Sequence, residues 1–364
     1  MQGEYRGDFT RDTFDPDKHY SRVLMQQGRA VLDADWNAQV SITLHYLRSL
    51  AEDLIGEHGG RGPGFQINID NVSQSAGKLK FKILEGRYYV RGWLCENAVD
   101  QDYSKQPGYP FPDSIDSIDL EPVVTKKYLV YLDVWERHIT HLEDDSIREV
   151  ALGGPDTASR AQLTCQVKVM ELSVDPDQND DSYFKKNYND FFGVITEHAK
   201  PTSGLLRARA KRGQKNDEPC GISPESRYRG AENQLYRVEI HHGGEEGQAT
   251  FKWSRENGSI AFPILSLGGG KVMLAHLGRD HNSSLQVNDW VEIVDDDLAL
   301  RGEAGPLLQV ESIDPVEMSV TLKSPETLRA CTEDSMTRPL LRRWDQQGGS
   351  LEDGVKLKEG DDEG

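Results

Sequence analysis

Between residues 35 and 56 the apolar positions Trp36, Val40, Leu44, Leu47, Ala51 and Leu54 recur at three- and four-residue steps. Such spacing places them on one face of an α-helix, because a turn holds about 3.6 residues. Asp35 is placed to cap the start and Gly56 to stop the end. The stripe runs for about five turns, so something must bury it, in this chain or on a partner. Upstream, Val23, Leu24 and Met25, then Val31 and Leu32, predict two short extended pieces around a turn at Gly28. Downstream, the glycine-rich loop Glu57-His-Gly-Gly-Arg-Gly-Pro-Gly64 cannot form regular structure.

Beyond Phe65 the period falls to two. Residues 78–84 alternate, Glu85-Gly86 reads as a turn and residues 87–94 return, which predicts a hairpin. After a loop rich in Pro and Asp, strands over 128–137 and 163–172 flank the acidic stretch Glu143-Asp144-Asp145. Residues 173–232 are polar and read as a long excursion with a short helix near 183–192. A second β block opens at Leu235, with alternation over 235–241 and 249–253 and a hairpin turn at Glu256-Asn257-Gly258 leading to 259–265. Further strands are expected over 271–276, 290–294, 307–313 and 319–323, and their regular spacing predicts a small barrel or sandwich.

The predicted fold is mainly β with one long amphipathic helix near the N-terminus, an α+β arrangement. The organisation runs from a signature segment and helix (1–64) through a first β block (65–172) and the polar excursion (173–232). A second β block (233–345) and a charged tail (346–364) complete it.

Charge then narrows the partners. Lys and Arg number 42 against 61 Asp and Glu, a net charge of −19. That field repels phosphate backbones and anionic lipid, so nucleic acid is not expected as a general partner. The four cysteines Cys95, Cys165, Cys220 and Cys331 stand far apart in sequence, without CxxC pairs, which argues against a dense disulfide framework and a zinc cluster. Residues 1–30 hold no apolar core of a secretory signal, and no apolar run reaches the ~20 residues of a membrane helix. Cytoplasmic synthesis of a soluble chain, without a transmembrane segment, is the expectation.

Little in the sequence offers chemistry. Asp33, Asp35 and Asn37 resemble the opening of a calcium loop, but no glycine follows at the sixth place, and a helix start enriched in acid explains them better. His241 and His242 adjoin on a strand and point to opposite faces, so they cannot chelate one ion together. His138 and His141 read as a surface cluster, and Asp295-Asp296-Asp297, like Glu143-Asp144-Asp145, as a solvated turn. Gly268-Gly269-Gly270 precedes a strand, so it offers no helix N-terminus to a phosphate. There is no P-loop and no nucleophile elbow. No catalytic residue, metal ligand or cofactor is expected. The single basic run holds Arg207, Arg209 and Arg212, candidates to meet an acidic neighbour.

Several longer motifs carry a resemblance. Gly7-Asp-Phe-Thr-Arg-Asp12, Met25-Gln-Gln-Gly-Arg29 and Leu32-Asp-Ala-Asp-Trp-Asn37 resemble the amino-terminal signature of an uncharacterised bacterial family associated with phage-tail-like contractile injection systems. Residues 232–240, Phe251-Lys-Trp-Ser-Arg-Glu-Asn-Gly258 and Arg338-Pro-Leu-Leu-Arg-Arg-Trp-Asp345 are similar to its later segments. The resemblance implies a structural component, at the baseplate, spike or sheath end, and not an enzyme. Its assembly contacts would include Trp36, Val40, Leu44, Leu47 and Leu54 with the three arginines. Family members usually continue past Leu351-Glu-Asp-Gly354, which implies a longer natural chain. A receptor- or glycan-binding fibre module is the alternative, and a hydrolase of cell-wall glycan a more distant one, since two spaced carboxylates would suffice for it.

Overall fold

The computed structural model describes residues 5–75, 78–110, 127–172, 193, 235–245, 247–268, 270–323, 336–346 and 354–357. The polar excursion, its expected helix and the basic run at Arg207, Arg209 and Arg212 lie outside these residues, as does most of the charged tail. The chain divides into two compact units. One comprises Met1–Leu120, Asp133–Gln166 and Gln234–Gly364; the other comprises Glu121–Leu132 and Val167–Asn233. The features below belong to the first unit, except that residues 127–132 and 167–172 of one strand pair fall in the second. No helix among the described residues is long and apolar enough to cross a membrane.

Helix α1 spans Asp33–Ile55, 23 residues, and ends at Gly56, whose φ of 94° a side chain would resist. It starts two residues before the expected cap. Leu32 holds the cap position without a side-chain bond, and Asp35 sits in the first turn. Asp33 turns away to accept hydrogen bonds from Thr10 N (3.0 Å) and Thr10 Oγ1 (2.5 Å). Both acids lie at the positive end of the helix dipole. The segment before the helix carries a turn at Gly28, with φ 71°, and no strand in residues 21–32.

The first β block is split among small antiparallel sheets. Strands β1 (His58–Gly59), β4 (Gly86–Val90) and β5 (Trp93–Asn97) form one, in the order β1-β4-β5. Strands β2 (Ile67–Ser75), β3 (Lys78–Ile83) and β6 (Gln101–Asp102) form another, in the order β2-β3-β6. The expected hairpin between 78–84 and 87–94 does not form. Residues 87–94 fold back on themselves instead, because Arg91 (φ 45°) and Gly92 (φ 76°) make the two-residue turn with positive φ that the twist of a hairpin favours. Strand β7 (Lys127–Ile139) pairs with β8 (Arg160–Leu172).

In the second block β9 (Arg237–His242), β10 (Thr250–Ser254) and β17 (Val355–Lys356) form a sheet in the order β17-β10-β9. Six strands then close a barrel: β11 (Ala261–Gly268), β12 (Lys271–Leu274), β13 (Trp290–Val294), β14 (Leu307–Asp314), β15 (Ser319–Leu322) and β16 (Leu340–Trp344). The order is β11-β12-β15-β14-β13-β16, with β16 returning to β11. The expected barrel in the C-terminal half is present, and closure removes its edges. Alternation aims Phe262, Ile264, Val272, Leu274, Val291, Ile293, Val310, Val320, Leu322 and Leu341 into a dry interior. Asn257 (φ 52°) and Gly258 (φ 66°) do make a tight turn, but not a hairpin: β10 stays in its sheet while β11 enters the barrel.

Candidate interaction surfaces

The β9–β10 sheet is inside out. Along β9 the exposed positions are Val238 and Ile240, continuing the exposed Tyr236, while Arg237, Glu239 and His241 turn inward. Opposite them, β10 buries Thr250, Lys252 and Ser254, and its Phe251 and Trp253 sit across from Ile240 and Val238. Ile240 is 51% exposed and Tyr236 56%, whereas Lys252 is 3% exposed. Tyr236 stacks on Trp253, with ring centroids 6.3 Å apart and an interplanar angle of 25°. A half-buried sheet ordinarily shows water its polar side. Here the period of two is intact and its phase reversed, leaving a small apolar face outward.

The inward face is held by charge. Lys252 Nζ lies 2.6 Å from Glu292 Oε1 on β13 and 3.7 Å from Glu239 Oε2. Glu292 also accepts from Trp344 Nε1 (2.9 Å) and from Gly305 N (3.0 Å), so its lone pairs are satisfied. Glu239 takes Arg6 Nε and Arg237 Nη1, each at 2.8 Å. Burial alone would raise the Glu239 carboxyl, but the charges of Arg6, Lys252 and Arg237 outweigh it and hold its pKa at about 2. Arg342, which donates to Gly258 O, is lowered to about 10 by burial first and by Arg6 second. Paired carboxylates and cations of this kind make an interior that is costly to break rather than a reactive one.

The N-terminal segment closes the same network. Asn257 Nδ2 donates to Tyr5 O (2.8 Å) and Gly7 O (2.9 Å), and Arg237 Nη2 also reaches Tyr5 O (3.0 Å). Tyr5 hydrogen-bonds Glu136, which accepts from Arg48 of α1 at 2.7 Å. Burial, reinforced by Glu136, raises the Tyr5 hydroxyl pKa. Arg48 in turn lies over the Trp93 ring, 3.4 Å from its centroid.

Helix α1 supplies a second apolar face. Its buried residues are Ala34, Ala38 and Ile42, and the last two border a cleft shared with Phe14, Tyr20 and Val23. The stripe read from the sequence faces the other way. Trp36 is 72% exposed and Leu54 77%, and Val40, Leu44 and Leu47 are exposed between them. Leu50, Tyr46 and Ile55, which the three-four reading passed over, enlarge the face. The five helix residues expected as assembly contacts therefore lie together on one outward surface.

Other candidates resolve into structure. Asp295 and Asp296 are buried, not solvated: Asp295 caps α2 (Asp296–Arg301) by accepting from Leu298 N at 2.8 Å, and Asp296 pairs with Arg137 and Arg338. His138 is not on the surface. It lies edge-on to the rings of Tyr5 and Phe9, each at 6.0 Å, and burial, with Arg342, Arg6 and Arg237 behind it, lowers its pKa to about 4. His141 Nδ1 lies 3.2 Å from Asp156. Glu143 accepts from Thr140 N (2.7 Å) and Thr140 Oγ1 (2.5 Å), and Asp144 from Ser146 N (3.0 Å). His241 is buried and His242 exposed, as opposite faces require. Sequence distance hid one pair: the Cys95 thiol meets Cys165, and this contact, with burial, raises the Cys95 pKa. Among the described residues no group of three or more His, Cys, Asp and Glu is placed to hold a metal ion.

Fold and surfaces together define a mainly β protein with a closed six-stranded barrel, whose most unusual features are two outward apolar faces. The chain belongs to a family of unknown function, DUF6519, whose model matches residues 5–185 and 174–362. No curated protein and no solved structure matches it.

Proposed function

We propose that this chain is a structural component of a phage-tail-like contractile injection particle, at its baseplate or periphery, and that it acts without turnover. The observation that carries the reading is the pairing of an inside-out sheet with a helix whose stripe faces solvent. A chain of net charge −19 gains nothing from wetting apolar faces unless another subunit covers them. The motif resemblance set out above supplies the kind of particle. Stable contacts of this sort bury at least ~1,000 Å² in total.

Deleting the gene and imaging the particles tests this. Missing or malformed baseplates are expected, together with recovery of the chain in purified particles. Intact, firing-competent particles with normal target attachment would overturn the reading. The exposed Tyr236, stacked on the half-buried Trp253, favours one alternative, a glycan-binding fibre module, since aromatic faces are the usual platform for a sugar ring. Particles that assemble normally but no longer attach would install that reading instead.

A further inference from the structure

We infer that the outward face of α1 pairs with α1 of a second copy of this chain, forming a coiled-coil contact between subunits. The inference rests on the assembly reading, because it names the partner of one of the faces used there.

The register of the exposed residues carries it. Trp36, Val40, Thr43, Leu47, Leu50 and Leu54 follow one another at steps of four, three, four, three and four, and all six are exposed. That alternation is the a/d repeat of a coiled coil, in which each side chain fills a hole on a facing helix. Val40, Leu47 and Leu54 take one of the two positions, and Trp36, Thr43 and Leu50 the other. The opposite side of the helix is the buried one, and there Ala38 and Ile42 face this chain's own N-terminal segment, so the seam remains outward.

The flanks identify the partner. Coiled coils that choose a different chain do so largely through charges beside the seam. Here those places hold Asn37, Leu44 and Ala51 on one side and Gln39, Tyr46 and Asp53 on the other. With Asp53 as the single charge, two copies of a strongly acidic chain can meet along this strip without setting like charges against each other. A basic partner would find no row of carboxylates to grip. The helix is about 33 Å long and its exposed apolar side chains amount to roughly 700 Å², close to the ~800 Å² per partner of a standard interface.

Sedimentation velocity of the full chain across micromolar concentrations tests the inference. A reversible oligomer is expected, and the double variant Leu47→Asp/Leu50→Asp should raise its dissociation constant at least about a hundredfold. Helical content and melting temperature of the separated subunit should stay unchanged, because both side chains face solvent. A second measurement is independent of those variants. Thr43→Cys should give a covalent dimer on mild oxidation, absent from the parent chain and from His45→Cys on the far side of the helix. A monomer at every concentration overturns the inference, as does an oligomer indifferent to the Asp variants or equal cross-linking from both cysteine positions. The particle assignment is judged separately by the deletion phenotype, so a monomeric subunit with malformed particles sinks the self-pairing alone.

Discussion

Lys252 Nζ sits 2.6 Å from Glu292 Oε1, each side chain is 3% exposed, and the two belong to different sheets. The pair joins the inner face of the β9–β10 sheet to the outer wall of the barrel. Its two partners are not equivalent. Removing Lys252 leaves Glu292 with Trp344 Nε1 and Gly305 N, whereas removing Glu292 strands those two donors and leaves Lys252 only the longer ion pair to Glu239, at 3.7 Å. We expect Lys252→Met to cost about 3 kcal/mol and Glu292→Leu at least as much, in the range of broken buried pairs. The double variant should be more stable than the sum of the singles implies. Urea unfolding of the four proteins checks this, and additive losses would show that the pair is uncoupled.

Acidification should weaken the fold in two stages. An unfolded imidazole takes its proton near pH 6.5, but His138 resists it down to about 4, so the unfolded chain binds more protons between those values. Stability present above pH 6.5 is therefore lost as pH falls through that window, on the order of 2–3 kcal/mol by pH 4. Glu239, held at about 2, contributes stability present above its ordinary value of 4.5 and lost below it. Melting temperatures from pH 7.5 downward should show both losses. His138→Gln should flatten the upper one and spare the lower.

Gly92 is expected to be among the least tolerant positions outside the barrel. Its φ is 76°, and a Cβ there would stand 2.2 Å from the Arg48 carbonyl oxygen of α1. Gly92→Ala must displace the β4–β5 turn, the helix, or both, and should cost more than the ~1 kcal/mol of strained backbone alone. Faster hydrogen exchange in α1 would locate the damage, while a helix unchanged in exchange would contradict it.

The two sides of α1 should respond oppositely to charge. Ile42→Asp buries a carboxylate among Ala38 and the N-terminal segment, which costs several kcal/mol and should abolish soluble expression or lower the melting temperature sharply. Trp36→Asp lies on the solvent side and should leave folding within about 0.5 kcal/mol. Differential scanning calorimetry of the two variants, each compared with the parent chain as a separated subunit, decides it, since comparable losses would mean that the stripe is buried by this chain itself.

Much of this architecture was legible in the sequence because periodicity survives translation into structure. The steps of Trp36, Val40, Leu44, Leu47 and Leu54 located α1 and its apolar face, and short alternating runs announced five of the six barrel strands, with β16 the one left out. Periodicity gives a face but not its direction. Whether Leu47 points at the core or at water depends on what the rest of the chain covers, and β9 shows the same ambiguity, with Val238 and Ile240 outward. Pairing was equally hidden. Residues 78–84 and 87–94 alternate convincingly as a hairpin, yet Arg91 and Gly92 carry the turn. Asp296 looked like a solvated acid because its cations, Arg137 and Arg338, lie 159 and 42 positions away.

The bond from Asn257 to the carbonyl of Tyr5 spans 252 positions. On a ribosome that adds about 5–20 residues per second, the N-terminal strap waits roughly 10 to 50 seconds for its acceptor site to be synthesised. During that interval the donors and acceptors it later satisfies, on Arg237, Glu239 and Asn257, do not yet exist or stand open. Docking of the segment around Tyr5 therefore cannot precede the synthesis of residue 257. A bulky fusion placed immediately before Tyr5 would interfere with completion of the fold rather than with its onset.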